Sequence, residues 1–498
     1  MAGTILSLAI GLFTFPFIVH RVGPASYGIW MLALSVVGYL GLLDIGLGPT
    51  LIKRTAEHLA HGRSETAALN RTVSTVFFIY LVIGIIVGSS ILVIGIIGEH
   101  WFKIGAELVP TFRVVLWVVG IQTAVGFPLS VATGILGGLQ EFHLLNVLNI
   151  AANCLRTALS VILLVAGYGL ISLILSGFAV SLANWLCTWL VVKRRMPELR
   201  IDLRSINRAS ISEVATFSWA MLLWSFAGYA LHQADRVLIG VFLPVASITV
   251  YEVGSRINQY SRNMLQSWLN TIMPAAASLQ TKNDSENLRM LYVKATRYML
   301  LGYVAIACGL TCFGHSFIDL WVGPQYSQAG TIMMFLVGAS LFQSQSVVGH
   351  VMLAATGKLR IFCSIMGVYP IVSLVMGIIF ILKWGLVGVA AGIAATVFLV
   401  ESIFIFSIFK AFDIKAMSVL RQCHMPCIRF AVVPLIAGFI LEQRIEIRSW
   451  PVMMAVLSIH GLILCFSLWQ FGLTDEERLS IKLLSINFLK PEAVADEA

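Results

Sequence analysis

Residues 73–97 read VSTVFFIYLVIGIIVGSSILVIGII, a run that contains no charged side chain. An α-helix rises about 1.5 Å per residue, and about 20 apolar residues cross the roughly 30 Å of hydrocarbon in a bilayer. This run is therefore long enough to span a membrane as one helix. Similar runs recur along the chain, and together they predict an all-α polytopic membrane protein.

The composition of the whole chain excludes several classes of function. Charged residues make up 11% of its 498 residues, whereas soluble domains contain about 25%. Hydrophobic residues make up 58%, and the mean hydropathy is +0.90. A water-soluble fold has no interior large enough for this apolar share, which excludes a soluble enzyme, a nucleic-acid-binding protein and a disordered scaffold.

We predict about fourteen transmembrane helices, separated at Gly- and Pro-rich breaks such as Gly23-Pro24 and Gly323-Pro324. The predicted spans are approximately 2–20, 27–48, 73–97, 114–137, 147–166, 169–192, 214–243, 247–273, 292–314, 329–355, 362–382, 385–409, 428–441 and 451–471. The longest gap, at about 193–213, is too short for an appended catalytic domain.

The distribution of Lys and Arg predicts the orientation. With the N-terminus inside, the cytoplasmic segments contain 23 basic residues, the opposite side contains 6, and 4 lie within spans, which accounts for all 33. The positive-inside rule therefore places both termini in the cytoplasm and explains the net charge of +9 without a nucleic-acid partner. Span 1 has no cleavage site after it, so we expect a retained helix whose true start lies a few residues upstream.

Polar residues recur at helical spacing within three predicted spans, so that each set occupies one face of its helix. The fifth span carries Asn146, Asn149, Asn153, Arg156 and Ser160. The seventh span carries Ser225, Tyr229, His232 and Arg236. The eighth span carries Glu252, Arg256, Gln259, Asn263, Gln266 and Asn270.

One such stripe is explained by hydrogen bonds between membrane helices. Three long stripes, each with an arginine, favour a water-filled central cavity with cationic walls, because contact with lipid would leave these groups unsatisfied. The candidate substrate-binding residues are Arg156, Asn149, Asn153, Tyr229, His232, Arg236, Arg256, Gln259 and Asn263.

The carboxylates within these spans are candidates for charge pairing or coupling. Glu252 lies one turn from Arg256, and Asp235 is able to reach Arg256 across helices. Such pairs are structural by default, but a pair that breaks and reforms is also a switch for a transport cycle. The sequence offers no interpretation of Glu401, which lies inside the twelfth predicted span.

No cofactor or metal is expected. The segment CHMPC, residues 423–427, has no second ligand pair nearby, so packing near a helix end is favoured over metal binding. No Walker sequence, GxSxG elbow or metal-spaced histidine pair is present, and the chain is not expected to be an enzyme.

Two segments carry a resemblance to a known family. HRVGPASYGIWMLALSVVGYLGLLDIGLGPTLIKR, residues 20–54, resembles the opening of the polysaccharide (O-antigen) flippases of the Wzx type. QADRVLIGVFLPVASITVYEVGSRI, residues 233–257, is similar to the second-half signature of that family, although the family usually has Gly where this chain has Leu243 or Pro244. The matching residues are Gly23, Tyr27, Gly28, Asp44, Gly46, Gly48, Arg54, Asp235, Arg236 and Tyr251.

These flippases belong to the multidrug/oligosaccharidyl-lipid/polysaccharide exporter superfamily. The resemblance implies two pseudo-symmetric six-helix lobes around the cavity, followed by two extra helices. The expected divisions are 1–195 (first lobe), 196–213 (cytoplasmic linker), 214–410 (second lobe) and 411–498 (two helices and a cytoplasmic tail).

The resemblance also implies a function: translocation of undecaprenyl-diphosphate-linked oligosaccharide across the bacterial inner membrane. The expected partners are this lipid-linked oligosaccharide, inner-membrane lipids and other polysaccharide-assembly proteins. An extruder of cationic drugs is an alternative, but its cavity should carry a surplus of carboxylates. A membrane glycan polymerase or ligase is a second alternative, but it needs a large external loop, and the longest external segment has only about fifteen residues.

The predicted orientation is testable with a membrane-impermeant thiol reagent applied from outside. Single cysteines are placed at Gly62 and Gly105 after the native cysteines are replaced by serine. We expect the cysteine at position 62 to be protected and the one at 105 to react, because the first lies in a basic, cytoplasmic segment. The reverse labelling pattern would contradict the orientation, and permeabilised cells supply the control in which both react.

Overall fold

Helices account for almost all of the computed structural model, which describes residues 2–41, 47–61, 66–202, 204, 234–266, 269 and 272–479. The first eight helices are α1 Ala2–Val22, α2 Pro24–Leu40, α3 Leu47–His61, α4 Thr66–Ile97, α5 Val109–Leu129, α6 Val131–Gly138, α7 Phe142–Val165 and α8 Leu170–Arg195. The others are α9 234–242, α10 Ala246–Gln266, α11 Ile272–Thr281, α12 Ser285–Trp321, α13 Gln328–Ala355, α14 Leu359–Phe412, α15 Ala416–Val419, α16 Met425–Arg444 and α17 Trp450–Ser467. The described residues form no strand, and the predicted all-α polytopic fold is confirmed.

Nine helical segments within the described ranges are long and apolar enough to cross a membrane. A tenth arises if Ile10–Val22 and Pro24–Leu40, which meet at 117°, form one broken span. Residues 214–233, two thirds of the seventh predicted span, lie outside the described residues. The count of fourteen therefore stays a prediction.

α14 consists of two helices that meet at a break in the helical backbone at Gly385. At Gly385 the backbone takes φ 59° and ψ −134°, a conformation that favours glycine. After this break the chain folds back: a Cβ at Gly392 would lie 2.9 Å from the carbonyl oxygen of Met376. The predicted boundary between the spans 362–382 and 385–409 is confirmed, since two antiparallel arms meet there.

The turn between α1 and α2 has an equally local cause. Gly23 adopts φ 83°, and Pro24 occupies the first position of α2, where its missing N–H is not needed. A helix cannot continue through this pair, so α2 starts in a new direction. The predicted break at Gly23-Pro24 is confirmed.

The chain divides into two compact units. The first contains Met1–Glu252 and Met366–Gly392, and the second contains Val253–Ile365 and Ile393–Ala498. The fourfold division along the chain stays a prediction.

In the first unit, α4 packs along α5 over much of its length. Gly84 and Gly88 of α4 lie against Ala124 of α5, where a Cβ on Gly84 would be 2.5 Å from the Ala124 carbonyl oxygen. Small residues let the two backbones approach closely, as is typical of membrane helices, for which van der Waals packing replaces the hydrophobic effect.

In the second unit, α12 is the central element and packs against α13, α16 and α17. A buried cluster of Cys312, Phe313, Met453 and Val456 joins α12 to α17. In the segment CHMPC, Cys423 donates to the Val293 carbonyl of α12, and His424 Nε2 lies 2.9 Å from Gln345 Oε1 of α13. This segment therefore packs at the end of α16, as the sequence favours.

Thr474 and Glu477 form a capping box at the start of the C-terminal helical segment. The Thr474 N–H donates to the Glu477 carboxylate at 2.7 Å, and the Glu477 N–H donates to the Thr474 hydroxyl at 3.4 Å. Arg297 and Tyr298 of α12 also donate to Glu477, which ties the start of the C-terminal segment to the bundle. Burial opposes ionisation of Glu477, but these donors outweigh it and hold the pKa of that carboxyl below its usual value.

The two segments that carry the family resemblance contact each other in the first unit. Thr249 of α10 donates to the Pro24 carbonyl at 2.6 Å. Gly28 of α2 meets the turn before α10, where a Cβ would lie 2.2 Å from the Val245 carbonyl oxygen. Gly28 therefore allows two backbones to touch, which explains a glycine inside an apolar helix.

Substitution of Gly28 tests this contact. We expect Gly28→Ala to destabilise the protein by about 1–3 kcal/mol, because the backbone oxygen of Val245 cannot rotate away as a side chain could. The measurement is the yield of monodisperse protein in detergent and its apparent unfolding temperature. Gly177→Ala on α8 is the matched control, since no atom lies within 4 Å of the added Cβ there. Equal behaviour of the two variants would contradict the close approach.

Candidate functional site

The polar stripe of the fifth predicted span lies on α7. Asn146, Asn149, Asn153 and Arg156 are exposed, whereas Ser160 is buried and bonded to Ser176 of α8 at 2.6 Å. Ser160 therefore helps to join α7 to α8. The other four polar side chains remain exposed on a helix that is apolar enough to cross the membrane, a position that lipid cannot satisfy.

Arg156 lies near the middle of α7 and makes one hydrogen bond to a side chain. Its Nη2 donates to the Ser181 hydroxyl of α8 at 3.3 Å. Across the part of the chain that the structure describes, no carboxylate forms an ion pair with this guanidinium. Arg156 is therefore a membrane-embedded cation available to an anionic ligand.

A cavity of about 210 Å³ lies between α1 and α7, beside Asn153. Gly11 and Thr14 of α1 line it together with Asn153 and Thr157 of α7. The small Gly11 keeps this space open, and the amide of Asn153 supplies a polar group to it. Thr14 of α1 thus lies next to the polar stripe of α7.

A second group of predicted residues forms a buried ion cluster in the first unit. Arg236 Nε donates to the Glu252 carboxylate across the turn between α9 and α10, and a guanidinium nitrogen lies 3.9 Å from Asp235. The Tyr251 hydroxyl donates to Asp235. The side chains of Arg236 and Glu252 are only 12% and 3% exposed, so this pair is part of the packed interior.

The remaining predicted residues of α10 differ in exposure. Gln259 and Asn263 are exposed, and Arg256 is half-buried. The sequence suggested Arg256 as a partner of Glu252, and that pairing stays a prediction. The structure shows a bond to Glu252 from Arg236, which comes sixteen positions earlier in the chain. Tyr229 and His232 lie outside the described residues.

Glu401 belongs to a polar cluster that the sequence did not predict. This fully buried carboxylate accepts from Gln343 Nε2 at 2.9 Å and lies 3.5 Å from His350 Nε2, both on α13 of the second unit. The His350 ring also packs on Phe404, with 4.1 Å between centroids. Gln343, Ser346 and His350 recur at steps of three and four, and that spacing was the signal that could have revealed a partner face for Glu401.

Cofactor chemistry finds little support in these groups. Within the described ranges, no three His, Cys, Asp or Glu side chains are placed to hold a metal ion. The exposed groups of the α7 stripe are three amides and a guanidinium, which bind and orient polar or anionic ligands.

A helical membrane fold with polar groups exposed along an apolar helix is typical of membrane transport proteins. The sequence pattern of the polysaccharide biosynthesis protein family matches residues 20–331, more than half of the chain. The chain belongs to this family. The family predicted from the two motifs is confirmed.

One relative and two solved structures extend this result. The chain is 22% identical to the probable low-salt glycan biosynthesis flippase Agl15 of Haloferax volcanii over 384 residues, 76% of this chain and 75% of the relative. It is similar to an inward closed structure of the lipid II flippase MurJ, with TM-score 0.74, 12% identity and 94% and 97% of the chains covered. An inward-facing multidrug resistance transporter of the MATE family, in the MOP superfamily, gives TM-score 0.68 at 16% identity, with 82% and 98% covered. The two structures establish the fold alone.

The buried ion cluster predicts unequal effects of removing its members. Arg236→Ala leaves the carboxylates of Asp235 and Glu252 without their cation, and we expect a loss of about 3–5 kcal/mol of stability. Glu252→Gln should be milder, because Asp235 still balances Arg236. The measurement is the amount of inserted, monodisperse protein and its apparent unfolding temperature. A Glu252→Gln protein that is less stable than Arg236→Ala would show that the cluster is not organised around the arginine.

Proposed function

We propose that this protein is a flippase that translocates undecaprenyl-diphosphate-linked oligosaccharide repeat units across the bacterial inner membrane by alternating access. Its role would be in the biosynthesis of surface polysaccharide such as the O-antigen of lipopolysaccharide. Membership of the polysaccharide biosynthesis family supports this proposal, and so does the similarity to a probable glycan biosynthesis flippase of Haloferax volcanii. In the proposed orientation both termini are cytoplasmic, and the substrate moves from the cytoplasmic to the periplasmic leaflet.

The observation that carries the proposal is Arg156. A guanidinium without a carboxylate partner, exposed on a helix long and apolar enough to span the membrane, matches the charge of a diphosphate. Its planar fork donates two parallel hydrogen bonds to phosphate oxygens.

The amides on the same face suit the sugar part of the substrate. Asn149 and Asn153 of α7 and Gln259 and Asn263 of α10 each offer a donor and an acceptor, and all four are exposed. These suit sugar hydroxyl groups, each of which both donates and accepts hydrogen bonds. The polyprenyl tail would stay in the hydrocarbon while the head group follows these polar faces.

The buried carboxylates are proposed to serve the transport cycle in a different way. Asp235 and Glu252 share Arg236 at the junction of α9 and α10, and α10 continues to the half-buried Arg256. A change in these pairings would alter the position of α10 relative to α9. We assign Asp235 and Glu252 to this charge-pair switch, with Arg236 and Arg256 as the cations that they exchange.

The charge on α7 argues against an extruder of cationic drugs. A cation pathway is stabilised by carboxylates, whereas the exposed stripe of α7 contains an arginine and three asparagines. The proposed partners are the lipid-linked oligosaccharide, inner-membrane lipids and other proteins of polysaccharide assembly.

The central test is replacement of Arg156. We expect Arg156→Ala to lower glycan export at least about 100-fold, because a charge-assisted, two-pronged contact with the diphosphate is lost. Arg156→Lys should restore part of the activity, because the charge returns without the planar fork. The measurement is surface glycan, together with the leaflet in which the lipid-linked intermediate accumulates, in a host whose only exporter is this protein.

The matched control is Arg195→Ala. Arg195 lies at the end of α8 and forms an ion pair with Glu141 at 2.9 Å, away from the stripe, so we expect near-normal export. Membrane protein levels are compared for all variants. Normal export by Arg156→Leu would sink the proposal that this arginine binds the diphosphate.

A further inference from the structure

A second cavity in the first unit lies between α5 and α8. Its volume is about 300 Å³, and its lining combines two aromatic side chains, Phe127 and Trp185, with several polar side chains. The lining residues used below are Gln122, Thr123, Gly126, Ser130 and Trp185. None of them belongs to the polar stripes of the sequence, and nothing in the proposed function has assigned them a role.

The polar groups of this cavity offer mainly acceptors. Thr123 donates its hydroxyl hydrogen to the Val119 carbonyl at 2.8 Å, and Ser130 donates to the Phe127 carbonyl at 2.7 Å. Each hydroxyl oxygen keeps lone pairs that can accept. Gln122 donates through Nε2 to Ser181 at 3.2 Å, and its carbonyl oxygen has no partner among the described residues. Three oxygens are therefore able to accept hydrogen bonds from a ligand.

Trp185 supplies the apolar surface. Its six-membered ring lies against Gly126, where a Cβ would come within 2.7 Å of Cη2. Because Gly126 has no side chain, the indole ring has room to lie directly against it, beside the cavity. A flat aromatic face carries negative potential, which attracts the positively polarised C–H bonds on one side of a pyranose ring.

The cavity is linked to the proposed phosphate-binding residue. Ser181 accepts from Arg156 of α7 at 3.3 Å and from Gln122 of α5 at 3.2 Å. Trp185 follows Ser181 by one helical turn, so both occupy the same face of α8. A ligand with an anionic group joined directly to a polar ring would match this arrangement.

We propose that the Trp185 cavity is a sugar-binding subsite that receives a pyranose of the lipid-linked substrate, with the diphosphate at Arg156. This inference rests on the proposed function and deepens it. The indole contacts one face of the ring, and the oxygens of Gln122, Thr123 and Ser130 accept from its hydroxyl groups. Stacking tolerates different epimers, so the subsite recognises a pyranose as a class.

The test compares two probes with the full-length protein in lipid nanodiscs: undecaprenyl diphosphate that carries one N-acetylglucosamine, and bare undecaprenyl diphosphate. We expect the unaltered protein to bind the glycosylated probe about tenfold more tightly. Trp185→Leu should bring this ratio close to one and leave the affinity for the bare probe unchanged. Arg156→Leu should lower the affinity for both probes by a similar factor and so preserve the ratio of the two affinities.

Two further variants separate the subsite from general packing. Trp189→Leu removes a tryptophan of the same helix that packs on Phe77, with ring centroids 6.4 Å apart, and it should keep the ratio. Gly126→Ala keeps Trp185 but displaces its ring, and it should lower the ratio.

The outcomes distinguish this inference from the proposed function. If Trp185→Leu retains the full ratio, or if the unaltered protein binds both probes equally, the sugar subsite is overturned while the flippase proposal stands. If neither probe binds, or if Arg156→Leu leaves binding of the bare probe intact, the diphosphate site fails and the inference fails with it.

Discussion

The ion pair between Arg236 and Glu252 joins α9 to the start of α10, within the second of the two segments that carry the family resemblance. An unpaired charge in the membrane interior costs several kcal/mol, so the arginine holds α9 and the start of α10 together across their short turn. This places Val245 against Gly28 and Thr249 against Pro24. The contact between the two motif segments, and with it the packing of α2 in the first unit, depends on the neutralisation of that one charge.

Arg236 and Arg156 both belong to polar stripes of predicted spans, but they have different roles in the structure. Arg236 is surrounded by two carboxylates and a buried tyrosine, and its side chain is 12% exposed. Arg156 donates to the hydroxyl of Ser181, has no ion-pair partner among the described residues, and is exposed. The first stabilises the fold, and the second retains its capacity to bind an anion. The difference lies in the neighbours that the fold brings to each residue.

The polar side chains within the described helices are of two kinds. Some form hydrogen bonds inside the protein, and others are exposed or line a cavity. Glu401 is satisfied by Gln343 and lies beside His350, and Ser160 by Ser176. The second kind includes the exposed amides of Asn149 and Asn153 and the oxygens that line the cavity beside Trp185. In a membrane fold, the second kind needs water or ligand, and for that reason it marks the surface on which a polar head group would travel.

The sequence by itself determined the fold class, the class of function and several local breaks, because the bilayer imposes a minimum length on apolar runs and glycine or proline ends a helix locally. Residues 73–97, Gly23-Pro24, the boundary near Gly385 and the capping box at Thr474 all follow from such short-range rules. Helical spacing also predicted the polar face of α7. Only the tertiary structure decided which charges are paired, because the partner of Glu252, the neighbours of Glu401 and the bond from Arg156 to Ser181 join different helices. A periodic pattern shows which side of a helix is polar, but the packing of helices determines what that side meets.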